Sequence, residues 1–223
     1  MAYRTTTSRI DRDQALRSRI LACAHARVVE GGFAALTMQA LAEDAGIATG
    51  SLYRHFGSKG ELAAEVFARA SQLEVDSLAR VLNGSGPAAG RLARGLRQFA
   101  ARAWHSRQLA FALIAEPVDP EVDEQRLRYR EAYAELFSRL LEEGRASGEF
   151  QVPSVSLTAA CLVGAIAESL VGPLSPPARA AREAGHAPDA LEDVCANLVT
   201  FCLRALGASQ PAPETCDEPA RVR

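Results

Sequence analysis

Between Thr37 and Lys59 the sequence gathers hydroxyls, a phenol, an imidazole and the chain's single lysine, which stands beside 24 arginines. None of these has the nucleophile-and-base pairing that covalent catalysis requires. A second group, Glu116, Asp119, Glu121, Asp123 and Glu124, offers general acid–base chemistry around Pro117 and Pro120. Acids also collect at such junctions as ordinary helix-start residues. No metal-ligand spacing or phosphate loop accompanies either set. The five cysteines, Cys23, Cys161, Cys195, Cys202 and Cys216, contain no Cys-x-x-Cys pair, so reduced thiols are expected, with no metal and no cofactor. An enzyme reading therefore has side chains but no constellation.

The elements that must hold these residues are legible from periodicity. Leu16, Ile20, Leu21, Ala24 and Val28 recur at three- and four-residue steps and predict a helix over 11–30, stopped by Gly31 and Gly32. Residues 1–10, with Arg4 and Arg9, show no periodicity and read as a mobile arm. Thr37 caps a short helix over 38–45 that Gly46 ends, a second short helix covers 49–56, and Ser58 caps a long one over 59–82. After the break at residues 83–87, further helices are predicted over 88–105, 107–115, 121–147, 154–172 and 189–206, with a loop from Pro173 to Pro188. Alternating Val/Ile/Thr runs are missing, so the fold class is all-α with about nine helices. The expected division is a first domain over 1–58, a larger helical domain over 59–207 and a disordered tail over 208–223.

Two short helices joined by a Gly-containing turn behind a longer helix form the arrangement that presents a helix to the DNA major groove. Leu41, Ala45, Ile47, Leu52 and Phe56 supply its small core, which turns Thr49, Gly50, Tyr53 and Arg54 outward. Charge agrees with this. Residues 1–60 carry eight basic groups against five acids, a net of +3 in a chain whose total is −2, so one end alone suits a polyanion. The stretch Thr37-Met-Gln-Ala-Leu-Ala-Glu-Asp-Ala-Gly-Ile-Ala-Thr-Gly-Ser-Leu-Tyr-Arg-His-Phe-Gly-Ser-Lys59 resembles the DNA-binding signature of the TetR family of bacterial regulators. That resemblance implies double-stranded operator DNA as partner, with Thr37, Ser51, Tyr53, His55 and Lys59 on phosphates and Gly50 allowing close backbone approach. Base edges would fall to Thr49, Arg54 and Gln39. Ala48 departs from the pattern, because the family often has Ser or Thr there to cap the reading helix.

In the larger domain, Phe99, Trp104, His105, Phe111, Tyr129, Tyr133 and Phe137 form aromatic stripes that serve either as core or as an apolar cavity for a small, lipophilic effector. The last two helices carry a small-residue face and a broad apolar stripe. Gly164, Ala167, Glu168, Leu191, Val194, Leu198, Phe201 and Cys202 are the candidates for a homodimer interface, which the resemblance implies as a four-helix contact; internal packing is the alternative. The longest apolar run, Leu157 to Ala167, is too short for a bilayer and abuts Glu168, so no membrane partner and a cytoplasmic location are expected. The combined expectation is a repressor that a ligand releases from a palindromic operator.

Overall fold

The structure, a computed structural model, describes residues 2–186 and 189–208, with side chains from residue 9. These residues form ten α-helices and no strand: α1 (Ala2–Gly31), α2 (Met38–Ala45), α3 (Thr49–Leu52), α4 (Lys59–Leu82), α5 (Ala88–His105), α6 (Arg107–Ile114), α7 (Pro120–Ala146), α8 (Val155–Leu174), α9 (Pro176–Glu183) and α10 (Leu191–Ala205). A single 3₁₀ turn, Phe33–Ala35, follows α1. The all-α expectation holds, with four differences. The expected arm is the start of α1, because a helix already nucleated by Leu16 to Val28 extends at little cost per residue. The helix expected over 49–56 is four residues long, and the chain continues as a turn through His55. α8 runs through Pro173, and α9 occupies the expected loop. Pro176 and Pro177 open that helix, where their missing N–H groups cost nothing. The tail beyond residue 208 lies outside the described residues.

The head of the molecule is α1 to α3 with the first half of α4. Ile20, Leu21, Ala24 and Val28 of α1 are buried against Leu36, Leu41, Leu52 and Phe56, and Leu62, Ala63, Val66 and Phe67 of α4 close the same cluster. The second half of α4 buries Val75, Leu78 and Leu82 with Leu92, Leu96, Phe137, Leu140 and Leu203 in the body. One unbroken helix of 24 residues, about 36 Å by its rise, thus belongs to both cores. Its start is fixed by Ser58, whose Oγ accepts from Glu61 N at 3.0 Å, while Glu61 accepts from Gly57 N at 2.7 Å. This reciprocal cap satisfies donors that would otherwise be orphaned at the helix end.

α1 is bolted to its neighbours by two arginines. Arg17 donates to both Glu65 oxygens at 2.6 and 2.5 Å and stacks over Phe56, 4.6 Å from the ring centre. Arg27 donates to Asp44 at 2.5 and 3.0 Å and to the Ala40 carbonyl at 3.1 Å. The Arg17 guanidinium holds the Glu65 carboxyl below the usual carboxylate range, with Arg69 assisting. A depressed folded value means stability that is present above the unfolded carboxyl range and lost as pH falls through the depressed value. Glu65→Gln is therefore expected to lower the melting temperature at pH 7 and to differ less from the parent as acid protonates Glu65, as read by thermal unfolding across pH 2.5 to 7.

Candidate nucleic-acid interface and effector cavity

The candidate reading surface is built by capping geometry. Thr37 Oγ accepts from Ala40 N at 3.3 Å and starts α2. Gly46 ends α2 in the left-handed region at φ 63°, a conformation that costs glycine little. Ala48 opens α3 without a side-chain cap, which leaves the first N–H groups of α3 without a side-chain acceptor. Thr37, Gln39, Thr49, Gly50, Tyr53 and Arg54 are all exposed on one end of the head, and Ser51 is half-buried there. Ser51 Oγ accepts from Arg54 Nη2 at 2.9 Å, which orients that guanidinium on the surface. Tyr53 is 53% exposed, unusual for a large ring and consistent with a surface made for contact. Gly50 has ordinary backbone geometry and no atom within 4 Å of a built Cβ. Nothing inside the protein demands glycine at that position, so any such demand comes from outside.

Two expected phosphate ligands stand differently. The His55 side chain is 6% exposed, with Nε2 at 3.8 Å from Asp13 of α1. Three residues after buried Leu52, it falls on the inner side of the turn, and this corrects its expected place on the outer surface. Lys59 Nζ, 43% exposed, lies 3.7 Å from Asp119 Oδ2 in the loop between α6 and α7. An approaching phosphate would therefore share the ammonium with a carboxylate.

The acids near Pro117 and Pro120 turn out to be joints. Glu116 accepts from Phe33 N at 3.0 Å and Ala34 N at 2.9 Å, capping the 3₁₀ turn of the head from the body. Gly32, at φ 73°, leaves room for that carboxylate, which a Cβ would strike. Asp119 faces Lys59, Asp123 accepts from Arg126 at 2.6 Å, and Glu124 accepts from Arg128 at 2.6 Å. Arg126 also donates to the carbonyls of Leu113 at 3.1 Å and Glu116 at 2.8 Å, so it closes the end of α6. The Glu116 and Asp119 contacts leave no trace in spacing, since their partners lie in other elements, whereas Asp123 with Arg126 and Glu124 with Arg128 stand at the i,i+3 and i,i+4 steps of a single helix. Among the described residues no group of His, Cys, Asp or Glu is placed to hold a metal ion.

Inside the body lies a cavity of about 820 Å³, walled by α4 to α8 and reached by His25 of α1. Phe99, His105, Tyr129, Tyr133 and Phe137 are among its lining residues. Trp104 and Phe111 are not: they pack with Ala100, Leu170 and Leu174 in a separate cluster. Five residues along a helix from Phe99, Trp104 points well away from the cavity wall that Phe99 forms. Arg102, unforeseen, lines the cavity and is tied to Glu74 at 2.8 and 2.6 Å. Phe99 and Tyr133 meet edge to face at 5.9 Å, and burial, then the Glu74 charge, push the Tyr133 phenol well above its ordinary value. Tyr133 thus stays a neutral donor at any working pH. The volume is within the range of sites that enclose a small organic molecule.

The expected dimer residues divide. Val194, Leu198 and Cys202 are buried within the subunit, and Ala167 lines the cavity. Their stripe on α10 is broad enough to cover the body's own core, so they are not available to a second chain. Gly164 and Glu168 on α8 and Phe201 on α10, 59% exposed, remain on the outer face with Leu157, 66% exposed; Leu191 is half-buried. α8 is the one described helix long and apolar enough to cross a membrane, but its inner face of Ala159, Leu162, Ile166 and Leu170 is core.

Comparison with known proteins agrees with this architecture. The family described as bacterial regulatory proteins, tetR family, matches residues 20–66, and the tetracyclin repressor-like C-terminal domain matches residues 85–170. No curated protein sequence matches the chain. Among solved structures, the transcriptional regulator FadR from Bacillus subtilis, in complex with stearoyl-CoA, aligns at TM-score 0.65 and 19% identity over 85% of this chain and 96% of its own. Reduced NemR from E. coli aligns at 0.66 and 16% over 89% and 100%, and a TetR-family transcriptional regulator from Agrobacterium tumefaciens at 0.65 and 16% over 86% and 98%. At such identities the likeness concerns the fold. With both of its halves matched in the family's order, the chain belongs to the TetR family of DNA-binding bacterial transcriptional regulators.

Proposed function

We propose that this regulator is a cytoplasmic repressor, working as a homodimer on a palindromic operator and released by a small lipophilic molecule in the body's cavity. The observation that carries the reading is the continuity from cavity to head. Leu109, Ala110, Leu113 and Ile114 of α6 line the cavity, and Glu116, two residues past the end of α6, holds the 3₁₀ turn that follows α1. A ligand that displaces α6 moves the acceptor on which two head N–H groups depend, and so has different contacts in the two states, as any effector must. FadR's bound stearoyl-CoA supports an apolar ligand for a fold of this shape. The outer face of α8 with Phe201 is the surface left for the second subunit, and two heads are needed to place two reading helices on adjacent major grooves.

DNA binding would be carried by phosphate contacts from Thr37, Ser51, Tyr53 and Lys59, with Thr49, Arg54 and Gln39 at base edges. If each head neutralises about four phosphates, the dimer's affinity for DNA selected from a random pool should fall with a log–log salt slope of about −7. Fluorescence anisotropy checks this, and a slope near zero would remove the proposal. Gly50→Ala tests the reading face without touching the fold. Alanine is the better helix former by about 0.5–1 kcal/mol, so thermal stability should hold or rise while operator affinity drops at least about tenfold, the price of one lost close contact.

Glu116→Ala tests the link between the two halves. Removing it leaves two backbone donors short of an acceptor, a loss of about 1–3 kcal/mol each where they are buried. A lipophilic dye, 1-anilinonaphthalene-8-sulfonate, should still bind the cavity of the variant, but its power to weaken operator binding should be largely gone. Equal dye sensitivity in parent and variant would place the coupling elsewhere.

A further inference from the structure

Five of the buried and half-buried arginines of this protein are neutralised by carboxylates. Arg17, Arg27, Arg91, Arg102 and Arg126 meet Glu65, Asp44, Glu143, Glu74 and Asp123. The arginines around Trp104 are not. Arg182 of α9 stands 4.3 Å from the centre of the indole, and Arg107, the first residue of α6, stands 5.1 Å from it. Arg182 Nη1 donates to the Pro173 carbonyl at 2.7 Å. Its Nε and Nη2, the Nε of Arg107 and the Nε of Arg179 one turn earlier on α9 are buried without an acceptor.

Such an arrangement is costly as it stands. Buried charged donors lose hydration and need compensating acceptors. The two guanidinium groups also repel each other: Arg107 is held below its ordinary value by burial first and by the charge of Arg182 second, and no carboxylate opposes the shift. Cation–π attraction to Trp104 offsets part of this, since the ring face is electron-rich, but it supplies no hydrogen-bond acceptor. Ser106, which joins α5 to α6, places no side-chain cap on α6, and the first turn of α6 holds no acid. The same corner therefore adds the positive end of a helix dipole to two cations. The missing component is an oxyanion, which guanidinium forks bind with paired hydrogen bonds.

We propose that Arg107 and Arg182, seated on Trp104, form a binding site for the phosphate or carboxylate group of a small molecule. The site lies outside the cavity, whose lining includes Ser106 but neither arginine. It stands independently of the repressor reading. Filling it stitches α9 to the junction of α5 and α6, elements that meet at Trp104.

Trp104 is the only tryptophan in the chain, so its fluorescence reports this corner alone. The full-length protein is titrated with inorganic phosphate at ionic strength held constant with sodium chloride, and separately with acetate. Phosphate or acetate should produce a saturable change in emission, with a midpoint on the order of 1 mM. Arg182→Gln should shift that midpoint by at least about tenfold, since a charged donor pair is removed. Arg107→Gln, at a helix start, is the milder variant and should weaken binding in the same direction with the circular dichroism spectrum unchanged. Which of the two anions saturates first identifies the group preferred. Emission that follows chloride and phosphate equally in the parent overturns the proposal, as does a midpoint unmoved by both substitutions. A change driven by protein concentration without added anion assigns the counter-charge to a second copy of the chain and overturns the small-molecule site.

Discussion

A carboxylate on a loop of the body accepts two backbone N–H groups of the head, and the relation of the two parts depends on it. Glu116 caps the turn at Phe33 and Ala34, and Gly32 has no side chain because that oxygen occupies the place. The contact is short and directional, so it transmits position in a way that apolar packing alone does not. Around it, Arg126 ties the end of α6, and α4 carries its apolar face through both cores. The head is not hung from the body by a linker but held by a continuous helix, by the Glu116 carboxylate and by Ala112 and Val122 of the body, which are buried in its core.

How much of this can be read from the chain follows from the range of the interactions. Apolar periodicity reports a helix and its buried face, so α1, α4, α5 and α7 were legible, as were Leu52 and Phe56 turned inward. The exposed set of Thr49, Gly50, Tyr53 and Arg54 followed by subtraction. His55 did not, because in a turn just past a four-residue helix the helical wheel no longer states which way a side chain points. Phe99, Tyr133 and Phe137 face the cavity, and Trp104 and Phe111 do not. Aromatic character predicts burial but not the wall on which it occurs. Arg17 with Glu65, 48 positions apart, and Glu116 with Phe33, 83 apart, leave no local trace. α9 was hidden by its own prolines, which at a helix start look the same in sequence as a loop.

Composition also acquires meaning only after folding. A net charge of −2 conceals arginines in three settings: bolts between helices, a guanidinium held by Ser51 on the exposed end of the head, and a corner around Trp104. Of the acids that invited a catalytic reading, Glu116 accepts two N–H groups of the head, Asp119 faces Lys59, and Asp123 and Glu124 pair with arginines of their own helix.

The sharing of α4 between two cores bears on how such regulators diversify. The body cannot be exchanged by recombination at the end of the signature near Lys59, because Leu62, Val66 and Phe67 would be taken from the head that they fill. A workable chimera must keep those turns of α4 with the head and import a loop whose carboxylate reaches Phe33 and Ala34. Seams placed beyond Phe67 would keep α4's share of the head's packing, and the imported body would also have to supply counterparts of Ala112 and Val122, which fill the same core.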